Sequence, residues 1–242
     1  MRFLFAAALL IQSAPAPTQA ERIEAALKKM TDREYRVFFG GQDQGTVTMM
    51  HRIETEGGRK VGVFEFIGRM TRDGKTEERS LTVKADLDGL RFLSAKSVGP
   101  GGKAGRALEV KDGKVAIEDV MDETTKLVEV TASTVEESTL LRLPGVLEQK
   151  VGSARKVDVL DFFTLGKDYE LKCLERTTLE LAGAKHEVFK WQLSGRDFSP
   201  PGPPEGGKVV HTYWVSPEGV LLRYTMDVND NKNVKVLELK AK

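Results

Sequence analysis

The segment Tyr169–Gly195 reads YELKCLERTTLELAGAKHEVFKWQLSG, and its pattern decides the fold class. Apolar and charged residues alternate along its first half, which places Tyr169, Leu171 and Cys173 on one face. This period of two is that of a β-strand with one buried face. Ala182-Gly183 is a turn signal between this half and a second strand-like half. The segment therefore predicts an antiparallel hairpin.

The same period recurs along most of the chain. In LTVKADLDG, the residues Leu81, Val83, Ala85 and Leu87 share one face. Short turn signals separate such runs, at Glu56-Gly57-Gly58, Asp73-Gly74, Asp88-Gly89, Asp112-Gly113 and Pro217-Glu218-Gly219. Short turns join antiparallel neighbours, so the sequence predicts a mainly β protein with an antiparallel meander of about eleven strands.

Two segments depart from this period. Glu21–Thr31 carries an apolar stripe at helical spacing, formed by Ile23, Ala26, Leu27 and Met30. Its acids come early and its lysines late, as the helix dipole favours, which predicts an N-terminal helix. Thr134–Gln149 lacks alternation and contains Pro144-Gly145, which predicts a short central helix or irregular crossover, capped by Ser133 or Thr134. A subdivision of the domain near 133–150 is an alternative to one continuous sheet.

The first twenty residues resemble a secretory signal peptide. Arg2 precedes the apolar run Phe3–Ile11, and Thr18-Gln19-Ala20 is a candidate cleavage triplet, with Ala14-Pro15-Ala16 as an alternative. The apolar run is far shorter than the roughly 20 residues that span a bilayer. We therefore expect export to the periplasm or the medium, without a transmembrane segment in a mature chain of residues 21–242 that forms a single β-rich domain.

Charge and cysteine content limit the partners. The chain has 37 Lys and Arg against 36 Asp and Glu, and loss of Arg2 with the signal peptide leaves a formal net charge of zero. Nucleic acid as the main partner would require a basic excess. Cys173 is the single cysteine, so it forms no intramolecular disulfide, and we expect it to be buried in a strand.

Motifs for catalysis, cofactors and metals are weak. The three histidines, His51, His186 and His211, are scattered along the chain. The acidic run 118–123 lacks an EF-hand pattern, and the glycine-rich piece 97–105 lacks the phosphate-loop spacing. The sequence therefore predicts a protein that is not an enzyme and has no cofactor or metal site. An enzyme would need a cleft that brings a histidine and an acid together.

Two stretches are candidates for binding. In KVGVFEFIGRM, Phe64 and Phe66 lie opposite Val61 and Val63, so both faces of one strand are apolar. Phe64, Phe66 and Met49 are candidates to line an apolar cavity, and ordinary core packing is the alternative. The second stretch is a loop with Pro200, Pro201, Pro203 and Pro204, which suits docking on a partner protein but also suits an ordinary long hairpin loop.

The hairpin in Val209–Asn229 combines a tryptophan, two tyrosines and a histidine. Ser216-Pro217-Glu218-Gly219 suits a type I turn that closes a three-residue loop. Unbroken pairing outward from that loop places Trp214, Tyr224 and Met226 in the core. The same register places His211, Tyr213 and Arg223 on an outer face.

Several of these segments resemble a family of exported bacterial proteins of unknown function. The opening EYRVFFGGQDQGTVTM is similar in its Tyr35, Val37, Gly40, Gly41 and Gly45, and the closing hairpins YELKCLERTTLELAGAKHEVFKWQLSG and HTYWVSPEGVLLRY are similar too. Such proteins are related in general shape to the LolA/LolB-type lipoprotein carriers. The resemblance implies a curved antiparallel half-barrel with helices over its mouth and no catalytic residues. The proline-rich loop at 199–207 departs from that pattern.

Together these features favour two functions. The first is an exported, non-enzymatic protein that binds an apolar small molecule or a lipidated partner such as a lipoprotein. The second is a structural or protein-interaction component of the cell envelope without a small ligand.

Overall fold

The computed structural model describes residues 16–72, 74–119, 124–162, 164–194, 209–228 and 231–240. Most of the predicted signal peptide and the loop with Pro200, Pro201, Pro203 and Pro204 lie outside these residues. The described part contains fifteen strands: β1 Arg33–Phe39, β2 Gln42–Glu56, β3 Arg59–Arg72, β4 Lys75–Asp86, β5 Phe92–Val98, β6 Ala104–Glu109, β7 Lys114–Asp119, β8 Thr124–Glu129, β9 Thr134–Glu136, β10 Ala154–Leu160, β11 Leu165–Leu181, β12 Ala184–Ser194, β13 Val209–Val215, β14 Leu221–Val228 and β15 Asn231–Leu239. The helices are α1 Gln19–Lys29, α2 Leu143–Val146, and 3-10 helices at Pro100–Gly102 and Glu137–Leu141.

Thirteen strands form one sheet, in the order β6-β5-β4-β3-β2-β1-β15-β14-β13-β12-β11-β10-β9. Its neighbours pair antiparallel except β9 and β10, which are parallel, and β7 and β8 form a separate hairpin. The mainly antiparallel β fold is thus confirmed. The predicted count of about eleven strands was too low, because β6 to β9 are three to six residues long and too short to show a clear period.

The sheet curves but does not close by strand pairing in the described chain, since β6 and β9 remain its two edges. Side chains bridge the region between these edges instead. Arg106 Nη1 on β6 donates to the Phe162 carbonyl after β10, at 3.2 Å. Arg155 on β10 donates to the Gly89 carbonyl between β4 and β5. The result is an open half-barrel, as predicted.

Helix α1 begins at Gln19, two residues before the predicted start at Glu21. Thr18 caps it: its Oγ1 accepts from Glu21 N at 3.2 Å, while Glu21 Oε2 accepts from Thr18 N at 2.7 Å. This reciprocal pair is a capping box, and the backbone N–H of Thr18 is the main cause that lowers the pKa of Glu21. The cap lies within the predicted signal peptide, so cleavage after Ala20 would remove it.

We expect Thr18→Ala to lower the free energy of unfolding by about 1 kcal/mol, because one helix-terminal N–H loses its acceptor. Urea denaturation of a chain that retains residue 18 would measure this change. Thr31→Ala, an exposed threonine just past the end of α1, is the matched control. Equal stability of the two variants would contradict the capping role.

The segment between β9 and β10 packs inside the half-barrel. Leu140, Leu143 and Val146 are 2%, 0% and 7% exposed and belong to the main core, together with Ile23 and Leu27 of α1. The predicted short helical insertion is thus present. Its predicted cap was wrong, because Glu136 caps the 3-10 helix: Oε2 accepts from the backbone N–H groups of Ser138 and Thr139. Thr134 lies in β9 instead.

The apolar residues on both faces of β3 have two different coverings. Phe64 and Phe66 point into the main core. Val61 and Val63, although 2% and 0% exposed, lie on the opposite face. Val63 is flanked in register by Arg52 and Lys84, whose long side chains form ion pairs with Glu65 of β3 and Glu56 of β2. The aliphatic stems of such side chains cover apolar surface without a second layer.

A β-bulge changes the register of the β13–β14 hairpin. The predicted three-residue turn is present, with Ser216 N donating to Val220 O at 2.8 Å and Gly219 at φ +86°. The register shifts between Trp214 and Val215, so that Trp214 pairs with Arg223 and Tyr213 with Tyr224. A bulge adds one residue to a strand and exchanges the two faces beyond it.

The predicted faces of this hairpin were therefore partly wrong. Tyr213 and His211 are buried, at 1% and 5% exposure, whereas Trp214 and Met226 are only half-buried. Arg223 lies over the Trp214 ring, with its guanidinium carbon 5.6 Å from the ring centre. Tyr224 is buried as predicted.

Candidate functional site

A pocket of about 600 Å³ opens between the first half of α1 and the chain that follows α2. Four separate parts of the sequence line it: α1, the end of α2 with its following residues, the start of β10, and β12. The lining residues are Gln19, Arg22, Ile23, Val146, Leu147, Glu148, Ser153, Ala154 and Trp191. We call this site the α1 pocket. Its volume falls within the range of small-molecule sites, about 300–1,000 Å³.

The wall of the α1 pocket is apolar and anchored in the core. Ile23, Val146 and Trp191 are 2%, 7% and 0% exposed. The Trp191 indole Nε1 donates to Gln149 Oε1 at 3.1 Å. The Gln149 amide in turn donates to the Pro144 and Leu147 carbonyls, at 2.6 and 2.9 Å. The half-buried Gln149 amide therefore fixes the ring and the end of α2 relative to each other, which preorganises this side of the pocket.

Helix α1, which forms the other wall, is fastened to β2 and β3. His51 Nε2 donates to the Leu27 carbonyl at 2.7 Å, and Lys60 Nζ contacts Glu24 Oε2 at 2.8 Å. Burial is the main cause that lowers the pKa of His51, and its Nδ1 is buried without a hydrogen-bond partner in the described chain. A neutral His51 with its proton on Nε2 satisfies this arrangement.

The rim of the α1 pocket carries two opposite charges. Arg22 on α1 and Glu148 after α2 are both exposed. Within the residues that the structure describes, neither makes an ion pair or a side-chain hydrogen bond, so their charged atoms are more than 4.0 Å apart. Gln19 and Ser153 add uncharged polar groups to the rim. The site thus combines an apolar interior with an unpaired cation and an unpaired anion at its opening.

The residues that sequence predicted for an apolar cavity lie elsewhere in the core. Met49, Phe64 and Phe66 are 0%, 0% and 7% exposed, and Met49 pairs with Phe66 between β2 and β3. The Met49 carbonyl accepts from Arg142 Nη2 of the inserted segment at 2.8 Å. None of the three lines the α1 pocket. Their role in ligand binding stays a prediction.

Sequence reasoning missed the α1 pocket because its residues come from distant elements. Ala154 is an exposed alanine in a strand, and Leu147 follows a stretch without period. Neither type carries a local signal for binding. Trp191 is one of two tryptophans in the chain, and the rarity of this residue type is the local signal that could have pointed to the pocket.

Ionisable side chains also cluster inside the half-barrel. His211 Nδ1 lies 2.9 Å from the Tyr224 hydroxyl, and the Tyr213 and Tyr224 ring centres are 5.2 Å apart. Burial is the main cause that raises the pKa of Tyr213 and Tyr224, and the nearby Glu137 carboxylate raises both further. Burial lowers the pKa of His211 to about 4 and raises that of Glu136 to about 8.

The sequence set a cleft that brings a histidine and an acid together as the condition for an enzyme, and neither His211 nor Glu136 lines the α1 pocket. His211 and Glu136 are only 5% and 3% exposed, so they are packed inside the core. Burial also raises the pKa of Cys173, which is buried in β11 as predicted. His211 contacts Tyr224, whereas Glu136 accepts from the backbone of Ser138 and Thr139, so each buried group has a hydrogen-bond partner.

A second opening of about 700 Å³ lies on the outside of the sheet, between the end of the β11–β12 hairpin and strands β1, β14 and β15. Leu181, Ala184, Leu222 and Leu239 contribute its apolar surface, with Arg33, Glu34, Asp32 and Lys240 at its margin. We call it the outer cleft. Its charged groups are already engaged in part, since Lys240 contacts Glu34 at 3.1 Å.

Two further properties concern the described residues alone. Among residues 16–240 outside the gaps, no three or more His, Cys, Asp or Glu side chains are grouped to hold a metal ion. In the same residues, no helix has the length and apolar character to cross a bilayer.

Comparison with known proteins gives a distant structural similarity. No family model matches the chain, and no curated protein matches it. One solved structure to which it is similar is that of a beta-barrel-like protein of domain of unknown function DUF1849 from Brucella abortus. The two chains share 14% sequence identity and align with a TM-score of 0.44, over 87% of this chain and 98% of the other.

Proposed function

We propose that this protein is an exported, non-enzymatic binding protein for an apolar ligand or a lipidated partner, and that the ligand occupies the α1 pocket. One observation carries the proposal: an opening of about 600 Å³ has an apolar, core-anchored wall and a helix along one side. Burying apolar ligand surface against such a wall contributes about 25 cal/mol per Å² before the costs of association.

The location of the pocket supports a small ligand or a single lipid chain over a broad protein surface. Its apolar residues Ile23, Val146 and Trp191 are recessed, while the rim is polar. This distribution is typical of sites that take up an apolar body and leave a polar end near water. The exported proteins of unknown function that the sequence resembles are related in general shape to lipoprotein carriers, and this relation suggests the same class of ligand.

We expect Ala154→Trp to weaken ligand binding at least about tenfold, because an indole at this lining position fills the pocket. Ala154 is exposed at the start of β10, so the larger side chain does not disturb the core. The measurement is fluorescence titration with N-phenyl-1-naphthylamine, a neutral apolar dye. Ala107→Trp is the matched control, an exposed alanine in edge strand β6 and away from the pocket.

Native mass spectrometry and organic extraction of the protein, purified from an exporting host, give an independent readout. A co-purified acyl chain or lipid that is lost from Ala154→Trp and kept by Ala107→Trp would support the proposal. Absence of dye binding to the unsubstituted protein, or equal binding by both variants, would contradict it.

A second candidate is a protein-interaction role in the cell envelope, and the outer cleft favours it. Leu222 and Leu181 form an apolar strip there between charged margins, as peptide-binding clefts do. In this case Leu181→Asp would abolish capture of a protein partner from envelope extracts, while Ala154→Trp would not. Loss of capture in Ala154→Trp, with capture kept in Leu181→Asp, would support binding at the α1 pocket.

A further inference from the structure

The rim of the α1 pocket specifies a polar end for the ligand as well as an apolar body. Arg22 and Glu148 are the charged residues that line the opening. They belong to different elements, α1 and the chain after α2, and no ion pair joins them to each other or to another described side chain. In the free protein both charges are hydrated, so leaving them without an ion-pair partner has little effect on the free energy of folding.

Ligand binding changes this balance because a molecule that fills the mouth removes water from both charges. A neutral polar end would leave the guanidinium and the carboxylate without a charged partner. An anionic end would pair with Arg22 but repel Glu148, and a cationic end would do the reverse. Leaving a desolvated charge unpaired is expensive, so each of these ligands loses part of its binding energy.

We propose that the ligand is a zwitterionic amphiphile, whose anionic group pairs with Arg22 and whose cationic group pairs with Glu148, while its apolar chain lies against the accessible lining residues Leu147 and Ala154. This inference rests on the proposed function, since it assigns the polar end of a ligand in the same pocket. Charge complementarity supplies the discrimination, and the apolar wall supplies the affinity.

The test is displacement of N-phenyl-1-naphthylamine at neutral pH by three amphiphiles with twelve-carbon chains, each below its micelle concentration. Dodecylphosphocholine is the zwitterion, lauric acid the anion and monolaurin the neutral compound. We expect dodecylphosphocholine to bind at least about tenfold more tightly than the other two, a difference of one well-made charge interaction.

Substitutions at the rim separate the two charges. In Glu148→Gln, we expect lauric acid and dodecylphosphocholine to bind with equal affinity. In Arg22→Gln, we expect dodecylphosphocholine and monolaurin to bind with equal affinity. The double exchange Arg22→Glu with Glu148→Arg should restore the zwitterion preference, because the headgroup can bind in the reverse direction. Lys29→Gln, an exposed α1 lysine outside the pocket, should leave the order unchanged.

Equal displacement by all three amphiphiles would overturn the zwitterion inference while leaving the pocket proposal intact. An order that none of the rim substitutions changes would overturn it as well. No dye binding by the unsubstituted protein would overturn both proposals.

Discussion

Gly145→Ala is expected to lower the free energy of unfolding by about 3 kcal/mol, because α2 packs backbone to backbone against the β13–β14 turn. A Cβ atom at Gly145 would stand 2.1 Å from the Gly219 carbonyl oxygen and 2.7 Å from Met30 Cε. The methionine can move, but the carbonyl belongs to a turn that is held by its own hydrogen bond, Gly219 N to Ser216 O at 2.9 Å. The inserted segment must therefore shift out of the half-barrel.

The measurement is urea denaturation followed by tryptophan fluorescence. Gly99→Ala is the matched control, since Gly99 has φ −84° and a Cβ there would meet only the Lys103 carbonyl oxygen, at 3.7 Å. We expect the control to change stability by less than about 1 kcal/mol. Dye binding should fall in Gly145→Ala as well, because Val146 is the next residue and lines the α1 pocket. A Gly145→Ala protein as stable as the control would contradict an interior position of α2.

The second large effect is a fall in stability as the pH rises from 6.5 to 8. Burial raises the pKa of Glu136 from 4.5 to about 8, so the folded protein binds more protons than the unfolded chain between these values. Stability therefore falls as pH rises through this interval. Burial lowers the pKa of His211 from 6.5 to about 4, so the unfolded chain binds more protons there, and stability rises with pH.

These two slopes oppose each other between pH 4.5 and 6.5, where we expect a plateau. Above pH 6.5 the contribution of His211 is complete, whereas the loss of stability from Glu136 continues up to pH 8. Over that interval we expect the free energy of unfolding to decrease by about 2 kcal/mol. Glu137 and His51 act in the same directions, because burial raises the pKa of the first and lowers that of the second.

Glu136→Gln separates the two groups. The amide oxygen can still accept from the Ser138 and Thr139 backbone N–H groups, but it does not titrate. In this variant we expect stability to rise by about 3 kcal/mol from pH 4 to 6.5 through His211, and any decrease above pH 6.5 to be only the part that Glu137 contributes. Urea denaturation at half-unit steps between pH 4 and 8.5 would show both profiles. A wild-type stability that does not decrease above pH 6.5 would mean that Glu136 is ionised in the folded protein.

The β11–β12 hairpin is an example of structure that the local sequence pattern predicts correctly. Tyr169, Leu171 and Cys173 alternate with charged residues, and all three are buried in β11, as expected from a period of two. The helical spacing of Ile23 and Leu27 likewise placed an apolar stripe on α1, and both residues are in the core. In each case the residue type and the local period carry the information, because one face must exclude water.

The β13–β14 hairpin shows where local pattern fails. Its turn follows from Pro217 and Gly219, yet the bulge after Trp214 reverses the faces of Tyr213 and His211. The bulged register places Tyr213 in the core, paired with Trp191 of the neighbouring strand β12 and with its ring centre 5.2 Å from that of Tyr224. Nothing in the two strands alone distinguishes this register from the unbroken one.

The sequence by itself determined the strand period, most turns, the existence of both helical segments, the near-zero net charge and the burial of Cys173. These properties depend on neighbours a few residues away, which any single strand or helix already contains. Only the tertiary structure decided that the 137–146 segment fills the half-barrel, and that Arg22, Glu148, Ala154 and Trp191 meet at one pocket. Such meetings depend on the curvature of thirteen paired strands, and curvature is a sum over the whole sheet that no local stretch encodes.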